Sequence, residues 1–395
     1  LTATALPQRW ELLIIAGFSV FLRAVVFTLA IHVGHLTIAQ YTSKADTRSY
    51  IANAAAMCGE RSLASMDEYD VRVFPGYPAL IAIVHRLGIS LPMSALWVTW
   101  ICAGVTAAVA AKVFDDARAG WAMTCLIPHY LINSSLGMSE APVLAVVCLA
   151  LWASKEDHQI LAGIAFAFAG MIRPMACFAL AGVLFSMLVR SGRLTPVLRY
   201  AEERGRAATN PALRRTSEAA LRTEIRGILL LVSVVLVIFA IELLAFQLWT
   251  GNAMRGIHVY SQNPGAYGGE MITWPFHSLL TTPARDGASI GRVIYIWIHV
   301  LVTLAACAMA GNRIVKSNPL NFRNSVSAPW LIGNTAFVLC IGSVWGFRHF
   351  PRFTIPAAPA MFWTLRKFLP RHPGWWMLIA AGCGIMAVYG VIDSP

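Results

Sequence analysis

The sequence predicts an all-α polytopic membrane protein of about 11 transmembrane helices, forming a single integral domain over residues 1–395 with interfacial helices in its first outer loop. Three observations predict it. Of the 395 residues, 57% are apolar and only 13% charged, about half the charged share of a soluble domain, and the mean hydropathy is +0.63. The apolar residues gather into runs long enough to cross a bilayer, where a helix satisfies its own backbone. The net charge of +12 would suggest a nucleic-acid partner in a soluble chain. In a membrane chain it is first a topology signal, so no nucleic-acid partner is expected.

Taken in order, hydropathy places spans near 11–35, 93–112, 120–134, 139–153, 159–172, 174–190, 227–250, 291–310, 328–346, 353–368 and 374–392. The first run, Leu12 to Val33, is long enough to span and is expected to remain as an anchor rather than be cleaved. The segments 120–134 and 159–172 are short for a full crossing and need burial in protein or local thinning of the bilayer. With the amino terminus inside, the loops place 19 Lys and Arg on the cytoplasmic side and 11 outside, which fits the positive-inside rule.

Two outer segments are long, 36–92 and 251–290. The first holds several acids, a Phe-Pro-Gly-Tyr-Pro turn at Phe74 to Pro78, and an apolar stretch from Ala79 to Leu87 that reads as an interfacial helix. The cytoplasmic loop 191–226 is Arg-rich with interspersed Glu, as expected for a solvated or amphipathic segment near anionic headgroups. Seven of the eight cysteines fall in apolar segments and only Cys58 in a polar loop, so neither a disulfide framework nor a metal site is expected.

Residues that depart from a plain membrane pattern collect on the outer side. Arg348, His349 and Arg352 lie between the ninth and tenth spans, where positive-inside bias disfavours them; an arginine there can hold a phosphate through two parallel hydrogen bonds. Snorkelling to headgroups is the simpler use of such residues. Asp46, about ten residues after the first span, can cap the helix that begins before Tyr50 or take a proton from an attacking hydroxyl. Glu140 opens the fourth span just before Pro142, well placed for the helix dipole or as a second acid facing Asp46. Arg173, before Pro174, invites a phosphate or carboxylate partner. Arg23 and Glu242 are deep enough to pair inside the membrane, and His129 reads as a packed histidine. Trp249, Tyr260, Tyr267, Trp274 and Phe276 are either interfacial aromatics or a sugar-stacking surface.

The order of these motifs resembles the GT-C superfamily of membrane glycosyltransferases, and most closely the second mannosyltransferase of GPI-anchor synthesis with its bacterial relatives. Phe74 to Pro78 is similar to that family's Phe-Phe-Pro-x-Tyr-Pro, Ser139-Glu140-Ala141 to its Tyr-Thr-Glu-Ser, Met171 to Pro174 to its Thr-Arg-Pro, and Pro351 to Pro356 to its Arg-Tyr-x-x-x-x-Pro. The resemblance implies inverting, metal-independent transfer of a sugar from a polyprenyl-phosphate donor to a lipid, glycan or protein acceptor, with no cofactor. It implies Asp46 as base, Glu140 as a second catalytic acid, and Arg352, Arg348, His349 and Arg173 around the donor phosphate. Tyr50 and Tyr77, in the matching motifs, are implied substrate contacts. The family's Trp-Asp-x-x-His/Tyr becomes Ala45-Asp-Thr-Arg-Ser-Tyr50, and Met138 stands where the family has tyrosine, so the resemblance does not fix mannose as the sugar. It implies a bacterial inner membrane with the site facing the periplasm.

An inverting displacement needs attack from the face opposite the phosphate, so Asp46 and Arg352 are expected across one cavity, away from the bilayer midplane. The main rival is a secondary transporter or lipid flippase, which places its site near the midplane, often between repeats. No repeat is visible, and apart from Arg23 and Glu242 the ionisable residues sit at the surface. A noncatalytic GT-C-like subunit is a third reading. A membrane acyltransferase, relying on His129 with Asn133, is a fourth.

Overall fold

The chain is seen in a computed structural model that describes residues 7–67, 70, 73–190, 211–253, 272–285, 289–316 and 321–393. Among these the structure is helical throughout, apart from one isolated bridge between Ile272 and Ile341. In order the helices are α1 (Arg9–Gly34), α2 (Ile38–Thr42), α3 (Thr47–Met57), α4 (Gly76–His85), α5 (Leu91–Phe114), α6 (Ala117–Cys125), α7 (Pro128–Ser135), α8 (Glu140–Lys155) and α9 (Gln159–Ile172). They continue as α10 (Cys177–Arg190), α11 (Pro211–Thr250), α12 (His277–Arg285), α13 (Ile290–Lys316), α14 (Phe322–Leu339), α15 (Ser343–Arg348), α16 (Phe350–Thr354), α17 (Ala358–Leu365) and α18 (Pro373–Ile392).

Five helices are long and apolar enough to cross a membrane: α1, α5, the 225–250 part of α11, most of α13, and α18. The pair α7 and α8 passes the same test together but is bent by 107° at its break, as a broken sixth span or a re-entrant segment would be. The 11 crossings expected from hydropathy therefore resolve into five or six of full length plus shorter apolar helices. The segment 120–134 is not one span, because Pro128 opens a new helix after the extended residue Ile127. Helix α9 has 14 residues, about 21 Å, and lies against α8 and α11. The helix expected at the Phe74 to Pro78 motif is present as α4, beginning at Gly76 within the motif. The segment 191–210 and residues Tyr260 and Tyr267 lie outside the described residues.

Small side chains let the helices approach closely. Ala103, Ala107, Ala110 and Ala111 of α5 and Ala150 of α8 are among the most buried residues. Such residues favour tight packing where no hydrophobic force separates helix from lipid. The intramembrane pairing of Arg23 with Glu242 is not formed. Arg23 is fully buried, donates to Ser134 Oγ at 2.8 Å and to Ser19 O and Oγ at 2.8 and 2.9 Å, and stacks over Tyr130. Glu242 instead lines a groove between α11 and the helices α3, α4 and α9, beside Phe246 and Trp249. His129 bonds Tyr295 rather than Asn133.

At the far end of α5, Asp115 holds three elements together. It accepts from Lys155 Nζ at 2.9 Å and from Arg323, while Arg118 bridges the adjacent Asp116 to the backbone oxygen of Arg366. Asp115→Ala leaves two cations facing each other at little exposure, a loss of about 2 kcal/mol. Thermal unfolding in detergent is expected to shift down accordingly, and an unchanged midpoint would contradict the assignment.

Candidate active site

The loop between α7 and α8 is fixed before any charged residue is considered. Gly137 takes φ 83°, a left-handed turn that a side chain rarely tolerates. The turn carbonyls then receive hydroxyls from the segment between α1 and α5. Tyr41 donates to Ser135 O at 3.1 Å, Thr47 to Leu136 O at 2.8 Å, and Tyr77 to Gly137 O at 2.7 Å. Tyr50 and Ser139 share a hydroxyl hydrogen bond of 2.8 Å. Four contacts therefore tie α2, α3 and α4 to the turn that delivers Ser139 and Glu140.

On that turn the charged side chains converge. Arg352, at the centre of α16, donates from Nε to Glu140 Oε1 at 2.5 Å and from Nη2 to Asp46 Oδ2 at 2.7 Å. Arg173 donates from Nη2 to the same Glu140 oxygen at 2.8 Å and from Nε to Ser139 Oγ at 2.7 Å. Glu140 is fully buried, and its other oxygen, Oε2, has no partner. Asp46 is the more open acid, with 21% of its side chain exposed. Residues more than 300 positions apart thus form one cluster.

Asp46 does not cap α3 with its side chain, although it occupies the capping position. The preceding Ala45 sits at φ 51°, a conformation costly for a residue with a Cβ, and the carboxylate is committed to Arg352. The expected separation of Asp46 and Arg352 across a cavity is corrected here: they are in direct contact. Burial disfavours the charge on Arg352, but the Glu140 and Asp46 carboxylates outweigh it and push its pKa up, so it is a permanent cation.

Tyr50 and Tyr77 were expected to touch substrate. Both are buried, packed edge to face with each other, and Tyr77 OH is surrounded by Ala95 O, Thr99 Oγ1 and Gly137 O. Their hydroxyls brace the turn that carries Ser139 and Glu140. Arg348 is exposed, and His349 is half-buried with its ring edge toward Phe353. Burial, and then the charge of Arg352, pushes the His349 pKa down to about 3, so any ligand it meets finds a neutral ring.

Sequence reasoning missed the second polar stripe. Arg292, Tyr295 and His299 recur at i, i+3 and i+7 on α13, which puts them on one face. Tyr295 bonds His129 at 3.0 Å and His299 bonds Thr354 at 2.8 Å, so this face braces the helix that carries Arg352. The helical spacing of those polar residues within an apolar span was the available signal. Among the described residues no group of His, Cys, Asp and Glu is arranged to hold a metal. Of the aromatic surface, Trp249 lines a groove with Glu242, and Trp274 is exposed against His277.

No protein-family model matches the chain, and no curated protein matches it. Among solved structures it is similar to ArnT from Cupriavidus metallidurans bound to undecaprenyl phosphate, with a TM-score of 0.49 and 14% identity. The match covers 94% of this chain and 64% of that one, so the chain spans under two thirds of that protein's length.

The lowered pKa of His349 has a pH consequence. The unfolded chain takes up this proton near the ordinary histidine pKa of about 6.5, and the folded chain only near 3. Stability is therefore expected to fall as pH drops through that window. Histidine NMR should show His349 neutral down to pH ~4, and titration near 6.5 would contradict it.

Proposed function

We propose that the chain is a membrane glycosyltransferase of the GT-C type, which moves a sugar from a polyprenyl-phosphate donor to a hydroxyl of a lipid, glycan or protein acceptor. The carrying observation is the single guanidinium of Arg352 bound to both Asp46 and Glu140 at a partly open cluster. In this reading the cluster faces the periplasm from a bacterial inner membrane.

The chemistry follows from charge. Among the described pairs, the carboxylates of Asp46 and Glu140 are matched by the guanidiniums of Arg352 and Arg173. An arriving lipid phosphate adds negative charge and competes with the carboxylates for the arginines. Glu140 is fully buried and held by Arg173 as well, whereas Asp46 is more exposed. Asp46 is the group that yields. Phosphate then takes its place on Arg352, which stabilises the charge gathering on the leaving phosphate.

Released Asp46 becomes the general base. The acceptor oxygen attacks the anomeric carbon, the bond from that carbon to the phosphate oxygen breaks with its electron pair leaving on the lipid phosphate, and the acceptor proton passes to Asp46. Attack opposite the leaving group inverts the configuration. A phosphate leaving group needs no strong acid, and the reading assigns no step to a metal. A positioned base contributes roughly 10²–10⁴-fold in rate.

The test pairs turnover with donor binding. Asp46→Asn is expected to lower transfer by at least ~10²-fold. Because a competitor for Arg352 is gone, the same variant should bind polyprenyl phosphate more tightly than wild type. Arg352→Ala should lose donor binding, and a chelator should leave wild-type transfer unchanged. Full turnover by Asp46→Asn would sink the base assignment, and lipid flux without sugar transfer would favour the flippase reading.

A further inference from the structure

At the end of the bundle away from Asp46, cations outnumber acids. Glu140 opens α8 and Lys155 closes it, so this end lies about 22 Å from the charged cluster. Among the described pairs two carboxylates serve three cations: Asp116 takes Arg118, and Asp115 takes both Lys155 and Arg323. Arg366, just after α17, adds a fourth cation and has no carboxylate partner among the described residues. Arg118 donates to its backbone oxygen at 2.9 Å.

The last carbonyls of α17 gather more of the positive charge. Arg313 of α13 donates to Trp363 O at 3.4 Å and to Thr364 O at 2.6 Å, and Arg366 donates from Nη1 to Trp363 O at 2.9 Å. Capping a helix end with arginine is favourable, but that end amounts to only about half a negative charge. The surplus on Arg366 is therefore not cancelled by the cap.

Trp363 sets the geometry. Its ring is buried and stacked on Phe114 at 5.6 Å. The Arg366 guanidinium lies over it, 3.5 Å from the ring centre, and that of Arg323 stands 5.5 Å from the same centre. A guanidinium stacked on an indole keeps its donors in its own plane, clear of the ring, in the fork that holds a phosphate by two oxygens at once. Basic residues that only answer the positive-inside bias extend into water, as the exposed Lys367 does. Arg118 and Arg323 instead keep only 14% and 29% of their side chains exposed.

The surroundings indicate what carries the phosphate. Phe368, before α18, and Trp375, in its first turn, are exposed, and α18 is long and apolar enough to cross a membrane. Large aromatic side chains exposed at the start of a span lie at the level of the lipid headgroups. Arg366 stands two residues from Phe368, so a headgroup phosphate is presented at its depth.

We propose that Arg366, with Arg118, Arg313 and Arg323 around it, binds the phosphate of an anionic lipid headgroup at the end of the bundle opposite the charged cluster. The bound phosphate bridges arginines of α6, α13 and α14 to the end of α17.

The test is native mass spectrometry of the full chain released from vesicles holding equal amounts of dioleoylphosphatidylglycerol and dioleoylglycerol, which has the same chains and no phosphate. Wild type should retain the phospholipid about tenfold more, the scale of one charge-assisted hydrogen bond. Arg366→Gln should lose most of that preference, and Arg366→Lys, which keeps the charge but not the fork, part of it. Lys367→Gln removes an exposed charge one residue away and should keep the preference, as should Arg352→Ala in the charged cluster. The Arg366→Lys result decides if Arg366→Gln does not fold. Equal retention of both lipids by wild type overturns the proposal. So do equal losses in Arg366→Gln and Lys367→Gln, which signify diffuse attraction, or displacement of the lipid by millimolar inorganic phosphate, which assigns the site to a free anion. The readout is retention at the opposite end from Asp46, so it stands or falls separately from the glycosyl-transfer reading.

Discussion

The guanidinium of Arg352 is the interaction on which the rest of the site depends. It touches both Asp46 and Glu140, and it joins α16 to the start of α3 and the start of α8. Removing one partner from such a cluster leaves a poorly solvated charge, which in buried networks costs about 3–5 kcal/mol. An arrangement so dependent on mutual compensation is also a switch. In the proposed reaction, a phosphate that wins Arg352 from Asp46 would bring in the donor and liberate the base in one exchange, leaving the base idle until the donor is present.

The exchange requires that only one side can move. Glu140 is held by a second arginine and stands on a turn whose carbonyls are taken by Tyr41, Thr47 and Tyr77. Its neighbour Ser139 accepts from Arg173 and shares a hydrogen bond with Tyr50. Asp46 follows a strained Ala45 and keeps part of its side chain open. Rigidity on one side and access on the other come from the same few hydroxyls. The break between α7 and α8, which shortens a span, supplies the corner on which this cluster is built.

Much of the helical layout was legible in the sequence because apolar runs and their polar or proline boundaries are local. The spans near 11–35, 93–112, 139–153, 159–172 and 374–392 correspond closely to α1, α5, α8, α9 and α18. The segment 120–134 misled because hydropathy averages over Pro128, whose effect is on the backbone. Asp46, Glu140, Arg173 and Arg352 were legible as charges out of place, and they do come together. Their pairing was not legible, since it spans hundreds of residues and depends on a 107° bend. Tyr50 and Tyr77 carried a motif but not their burial, and Glu242 was paired with Arg23 on depth alone when the two face different surroundings.

The central claim is that donor phosphate and Asp46 compete for one guanidinium. A cryo-EM structure of the chain in nanodiscs with undecaprenyl phosphate tests it most directly. The account predicts a phosphate oxygen within hydrogen-bond distance of Arg352, Glu140 still on Arg173, and Asp46 withdrawn from its 2.7 Å contact and facing the cleft. A bound lipid phosphate with the Asp46–Arg352 pair intact would contradict it.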